Sequence, residues 1–211
     1  MKHAARGFTL IEVLLATVLL AAGMALAFSI VRSATAISSR GETIASQNER
    51  MRGVEVFLRR RLASALPLQL DTDPASMAPI LFSGDARQLR FVADVPDYLG
   101  RGGPYLHVLD VTGGGDTQEL RIGLTLLQGG QAVEEDPPRA PELLADGLKE
   151  VRLGYRGIDP VTGALGPWQN QWQVPGRMPL LVSVEIVPAS GVAWPPLVVA
   201  LPQQGMAGGA P

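Results

Sequence analysis

From Phe8 to Val31 the chain runs through aliphatic and small residues with a single charged side chain, Glu12. No other feature limits the fold so strongly. At about 1.5 Å per residue, a helix of this length crosses the roughly 30 Å hydrocarbon core of a bilayer. Lys2 and Arg6 precede the run, and basic flanks stay on the cytoplasmic side, so the N-terminus is expected in the cytoplasm and the remainder across the membrane. A secretory signal places its apolar region ahead of a small-residue cleavage site. Here a short basic leader, residues 1–7, ends in Gly7 and the apolar run follows it. Cleavage after Gly7 would keep the hydrophobic helix in the mature protein. Glu12 then needs a reason to be there, because a carboxylate costs roughly 2.5–3.5 kcal/mol at the bilayer centre and less toward its edge. With Phe8 as the first mature residue, the partner at hand is an α-amino group, the subunit's own or a neighbour's.

The helix is expected to continue to residue 66, because the first proline of the chain is Pro67. Residues 8–31 would cross the membrane and 32–66 would form an amphipathic stem, reaching together roughly 90 Å. Ile37, Ile44, Met51 and Leu58 recur every seven residues, and Val54 and Leu62 widen them to one apolar face. Gly23, Gly41 and Gly53 are positions where such a helix can bend. Arg50, Arg52, Arg59, Arg60 and Arg61 invite a nucleic-acid or phospholipid reading. No aromatics are interleaved for base stacking, and Glu49 and Glu55 offer local ion pairs, so the run reads as a solvated helix face and no nucleic acid is expected.

After Pro67 prolines and glycines become frequent and the helical period disappears. Segment 67–79 reads as a loop leaving the stem. Alternating stretches follow around Leu89–Val95, Leu120–Leu126, Val151–Tyr155 and Val182–Ile186, each fitting a half-buried strand. Glycine-rich turns at 100–103, 113–116, 129–130 and 159–163 separate them. The fold class is therefore α+β: a long N-terminal helix packed on antiparallel sheet, with a β-rich domain over 67–202 and a disordered tail over 203–211.

The chain offers little to a catalytic reading. It has no cysteine, which removes disulfides, thiolate metal sites and cysteine nucleophiles, and its two histidines are His3, in the leader, and His107. His107, in YLHVLDV, reads as strand packing or surface. Gly113-Gly114-Gly115-Asp116 lacks a following lysine and reads as a hairpin turn rather than a phosphate loop. Glu134-Glu135-Asp136 lacks the spaced ligands of a calcium loop and reads as a solvated acidic loop. No enzyme activity, metal or cofactor is expected. Trp168, Trp172 and Trp194 carry much of the aromatic area, and for Trp168 and Trp172 a partner interface and the core are equal readings.

Arg6-Gly7-Phe8-Thr9-Leu10-Ile11-Glu12-Val13 resembles the processing motif of type IV pilins and type II secretion pseudopilins. The resemblance implies that a prepilin peptidase cuts between Gly7 and Phe8 and N-methylates Phe8, and that Glu12 serves recruitment into a growing filament. Three further segments are similar to the J-type minor pseudopilins of type II secretion: VEVFLRRRLASALPL, LLADGLKEVRLGYRGIDPVTGALGPWQNQW and RMPLLVSVEIV. The chain departs from that pattern in having no acidic residue just after Arg61. The resemblance implies a pilin-like fold, an inner-membrane anchor, a periplasmic domain, and I-type and K-type pseudopilins as partners at the tip of a periplasmic filament that helps export folded proteins. A minor pilin of a type IV pilus or competence system shares the leader and stays open as an alternative, as does, more distantly, a membrane-anchored periplasmic enzyme or binding domain.

Overall fold

The computed structural model describes residues 9–95, 102–128, 131–133, 137, 139–189 and 192–203, with backbone only at positions 34, 36, 37, 39, 40 and 43. The chain divides into two compact units, Met1–Arg50 and Met51–Pro211.

The helix α1 (Leu10–Ala63) runs for 54 residues. Within the first unit its Leu10–Ser33 portion has a mean hydropathy of 2.4 and is long and apolar enough to cross a membrane. Leu10, Val18, Phe28 and Ile30 all stand exposed along it, so it offers apolar side chains to its surroundings and no polar face to water. The helix stops short of the expected residue 66. Ser64 N–H donates to Arg60 O at 3.2 Å, and Ser64 Oγ donates to Arg61 O at 3.0 Å. These bonds close the last turn and satisfy carbonyls that a helix end leaves open. Ala65–Leu66 then form the strand β1, paired with Ala93 and Val92. Pro67 sets only the latest end of the helix, and ladder bonds at a sheet edge end it earlier.

The second unit is built on a sheet of nine antiparallel strands among the described residues. Its path runs from β1 through β5 (Gln88–Val95), β6 (Gly103–Thr112), β7 (Gln118–Gln128), β9 (Glu142–Arg156) and β10 (Leu181–Pro188) to β11 (Leu197–Ala200). Two short strands hang off this path, β4 (Ser83–Gly84) on β5 and β8 (Gln131–Val133) on β7. The 67–79 segment, expected as plain loop, contributes β2 (Asp71–Thr72), which pairs with β3 (Pro79–Ile80) in a two-stranded hairpin. The β6–β7 connection is the tight turn expected at 113–116: Gly113 and Gly115 take φ of 76° and 59°, which glycine adopts without steric cost, and the Arg87 guanidinium donates to Gly113 O at 2.6 Å.

The last turns of α1 cover one face of this sheet. Val54, Leu58 and Leu62, four residues apart, are 7%, 2% and 0% exposed and join one cluster with Leu89, Phe91, Leu109, Ile122, Val182 and Val184. Burial of each such side chain stabilises by about 1.5–3 kcal/mol. The expected stripe narrows toward the N-terminus: Met51 is half-buried, Ile44 is exposed, and the Ile37 side chain lies outside the described residues. Between β9 and β10 the chain makes a long excursion that returns to the sheet twice. Tyr155 and Gln169 exchange backbone bonds at 2.8 Å, and Gly84 and Trp172 exchange them at 2.9 and 2.8 Å. The excursion thereby bridges β9 and β4, and the Tyr155 hydroxyl ties the same region by donating to Asp85 O at 2.9 Å.

Leu62→Ala should cost about 2–5 kcal/mol, the range for emptying a packed leucine site. Gly157→Ala should destabilise by about 1–3 kcal/mol through overpacking, because its methyl would lie 2.2 Å from Cη2 of Trp172. Urea unfolding of the detergent-solubilised chain, followed by tryptophan fluorescence, measures both.

Candidate functional site

Gly7 and Phe8 lie outside the described residues, as do Glu134–Asp136 and positions 204–211 of the tail. Glu12 is described, and it takes part in an arrangement the sequence reading missed. Thr9 precedes the first helical residue. Thr9 N–H donates to Glu12 Oε2 at 3.3 Å, and Glu12 N–H donates to Thr9 Oγ1 at 3.4 Å. This reciprocal pair is a capping box, which satisfies two donors that a helix start would otherwise leave open. The spacing Thr9-x-x-Glu12 was the signal that could have revealed it. The carboxylate also sits in the first turn, at the positive end of the helix dipole. Both side-chain contacts of Glu12 fall on Oε2, and among the described residues none falls on Oε1.

The tryptophans separate. Trp172 is 4% exposed, its Nε1–H donates to Arg177 O at 3.1 Å, and its ring fills the space beside Gly157. The Trp172 ring is closed in by its own chain. Trp168 is 43% exposed on the sheet face opposite α1. Trp194 is partly buried and packs against the core from the β10–β11 connection.

The arginine run also divides. Arg59 pairs with Glu55 at 3.0 Å as a solvated helix pair should, and it donates to Val198 O at 3.3 Å on the edge strand β11. Arg61 departs from the solvated reading, being 5% exposed. Its Nη1 donates to Asp94 O at 2.8 Å, its guanidinium carbon lies 5.7 Å from the Phe57 ring centroid, and its Nε finds no partner among the described residues. Its neighbour is His107, on β6, fully buried and stacked on Phe91 with centroids 4.9 Å apart. His107 Nδ1 lies 2.9 Å from Tyr105 O and its Nε2 has no partner. Burial lowers the His107 pKa from 6.5 to about 4, opposed by the Tyr105 carbonyl and reinforced by the Arg61 charge. The histidine is thus neutral packing at physiological pH.

No group of three or more His, Asp or Glu residues among the described residues is placed to hold a metal ion. A cleft of about 400 Å³ between Pro67, Trp172 and Leu180 is lined by a single ionisable group, Arg177, which gives acid–base chemistry no second member.

An apolar N-terminal helix that begins at a Thr9–Glu12 capping box and ends against an antiparallel sheet is a pilin-like architecture. Residues 2–28 match the prokaryotic N-terminal methylation motif. The type II secretion system protein J of Xanthomonas campestris pv. campestris is 56% identical over 208 residues, covering 99% of this chain and 98% of that one. A solved structure, the GspK-GspI-GspJ complex from the type 2 secretion system of enterotoxigenic Escherichia coli, is similar with 16% identity and a TM-score of 0.43, covering 65% of this chain and 86% of that one. The chain belongs to the type II secretion system protein J family.

Because the folded pKa of His107 is lowered, the unfolded chain binds more protons between pH 6.5 and 4. Stability is therefore full above pH 6.5 and falls as the pH drops toward 4, by about 3 kcal/mol for this one group. Urea midpoints across that range should show the fall in the native chain and a flatter profile in His107→Leu.

Proposed function

We propose that this chain is a non-catalytic minor pseudopilin at the tip of the periplasmic filament of a type II secretion machine. The observation that carries the reading is a 56% identity sustained over 99% of the chain to a type II secretion protein J. The leader is cut between Gly7 and Phe8 and Phe8 is N-methylated, in line with the methylation motif over residues 2–28. The N-terminus faces the cytoplasm, Leu10–Ser33 crosses the inner membrane once, and the β-rich unit stands in the periplasm. I-type and K-type pseudopilins are its partners.

Glu12 serves this cycle in two ways. Its Oε2 closes the capping box with Thr9, which lowers the cost of a carboxylate at the membrane edge. Its charge remains available to a methylated amine at the head of a neighbouring subunit. An ion pair of this kind is strong where water is excluded, so packing helices together makes the buried charge tolerable and favours leaving the lipid.

Glu12→Gln separates the two roles, since glutamine also fits a capping box and carries no charge. In a strain deleted for this gene, secretion of a folded cargo should stop and return with the native chain. Mass spectrometry of that chain should find a mature protein beginning at methylated Phe8. Glu12→Gln should still be cleaved yet secrete at least about tenfold less, the effect of losing a little over 1 kcal/mol per assembly step. Full secretion by an uncleaved chain, or by the deletion strain itself, would contradict the reading.

A further inference from the structure

We propose that the sheet face around Trp168 is a binding site for a neutral, hydroxyl-rich saccharide: a length of glycan built from N-acetylated sugars. Trp168 is exposed but held in place. Beneath it Gly154 pairs with Ser183 across β9 and β10. A Cβ on Gly154 would lie 2.4 Å from Ser183 Oγ and 3.5 Å from Trp168 Cε3, so the missing side chain lets the ring approach the strand. Beside it the Arg156 guanidinium carbon lies 5.9 Å from the ring centroid, and Arg156 Nε donates to Gly166 O at 2.6 Å. The next residue, Gln169, is locked to Tyr155 by two backbone bonds. The ring is thereby supported from the sheet side while 43% of the residue faces solvent. An aromatic face carries partial negative charge and attracts the weakly positive C–H groups of a sugar ring.

The surroundings suit the edge of the same ligand. Gln169, Asn170, Gln171 and Gln173 are all exposed beside the ring, and an amide both donates and accepts, as a sugar hydroxyl does. The open cleft of about 430 Å³ next to Trp168 is floored by Ser183, Arg152 and Glu185. Arg152 contacts Glu150 at 2.7 Å and Glu185 at 3.0 Å. Together with Arg156, these charges sum to zero, so the site has no net charge to draw in an acidic or basic ligand. A protein-interface centre is different in kind, since it is depleted in charge and clusters large apolar side chains. Here one ring sits among amides, the Arg152 ion pairs and Arg156, with Val174 and Val198 at the margins. The saccharide chemistry comes from the site alone; naming cell-wall glycan as its source rests on the periplasmic placement proposed above.

The test uses the full chain in a detergent without a sugar headgroup, titrated with the tetrasaccharide of N-acetylglucosamine. Tryptophan fluorescence and saturation-transfer NMR report binding. The expected result is a saturable response with a Kd of about 1–10 mM. Trp168→Ala should weaken it by about tenfold or more, Trp168→Phe by much less, and Asn170→Ala by severalfold. Circular dichroism and the buried Trp172 signal verify that each variant is folded. No saturable response by about 20 mM, or an equal response from Trp168→Ala, overturns the proposal. Loss of association with I-type and K-type subunits in Trp168→Ala, without glycan binding by the native chain, would make the ring a protein-docking residue and likewise overturn it. Secretion by the deletion strain carrying the native gene reports on the pseudopilin reading separately, so the two fail independently.

Discussion

A sheet with one apolar face must be covered, and here the cover is the last turns of a helix whose other end is made for lipid. Val54, Leu58 and Leu62 lie on that end and close over Leu89, Phe91, Val182 and Val184. One continuous helix therefore meets two different requirements. Leu10–Ser33 is long and apolar enough to cross a membrane, whereas the final turns are apolar on one side only. The change in pattern along a single element is what turns a membrane anchor into the first layer of a folded domain.

Two polar groups test how tightly that layer is sealed. Arg61 and His107 sit near one another under the helix, each with a ring nitrogen or guanidinium nitrogen lacking a partner among the described residues. Such groups weaken a fold rather than support it. His107 offsets part of the cost by remaining neutral and stacking on Phe91, and Arg61 by bonding the carbonyl of Asp94 and lying over Phe57. Glu12 solves the same problem at the other end of the helix, where its carboxylate is held by Thr9 at the positive end of the dipole.

What could be read from the sequence was whatever kept a clean period. β5, β7, β10 and the end of β9 alternate strictly enough to be placed. β6 did not stand out because the apolar Leu106 and Val108 fall between Tyr105, His107, Leu109 and Val111, which leaves little polar contrast along the strand. The first half of β9 was obscured by register shifts against β7 and β10, which break the two-residue repeat. Arg61 looked like one more surface arginine, since nothing in a run of arginines tells which one turns inward. The tryptophans shared one segment and looked alike; only the bridge of Trp172 to Gly84 decides that this ring goes in while Trp168 stays out. At the N-terminus the spacing Thr9-x-x-Glu12 itself carries the capping box seen in the fold.

The chain belongs to the protein J family, and the function proposed above makes it a subunit stored in a membrane and drawn into an assembly. Its central claim is association, and the most direct measurement is the mass of a mixture. Residues 32–211 would be combined with the soluble domains of I-type and K-type pseudopilins from the same cell and passed through size exclusion with light scattering. The account predicts a single species containing one copy of each chain at about ten micromolar, where moderate interfaces are populated. Separate elution of all three chains at that concentration would contradict it.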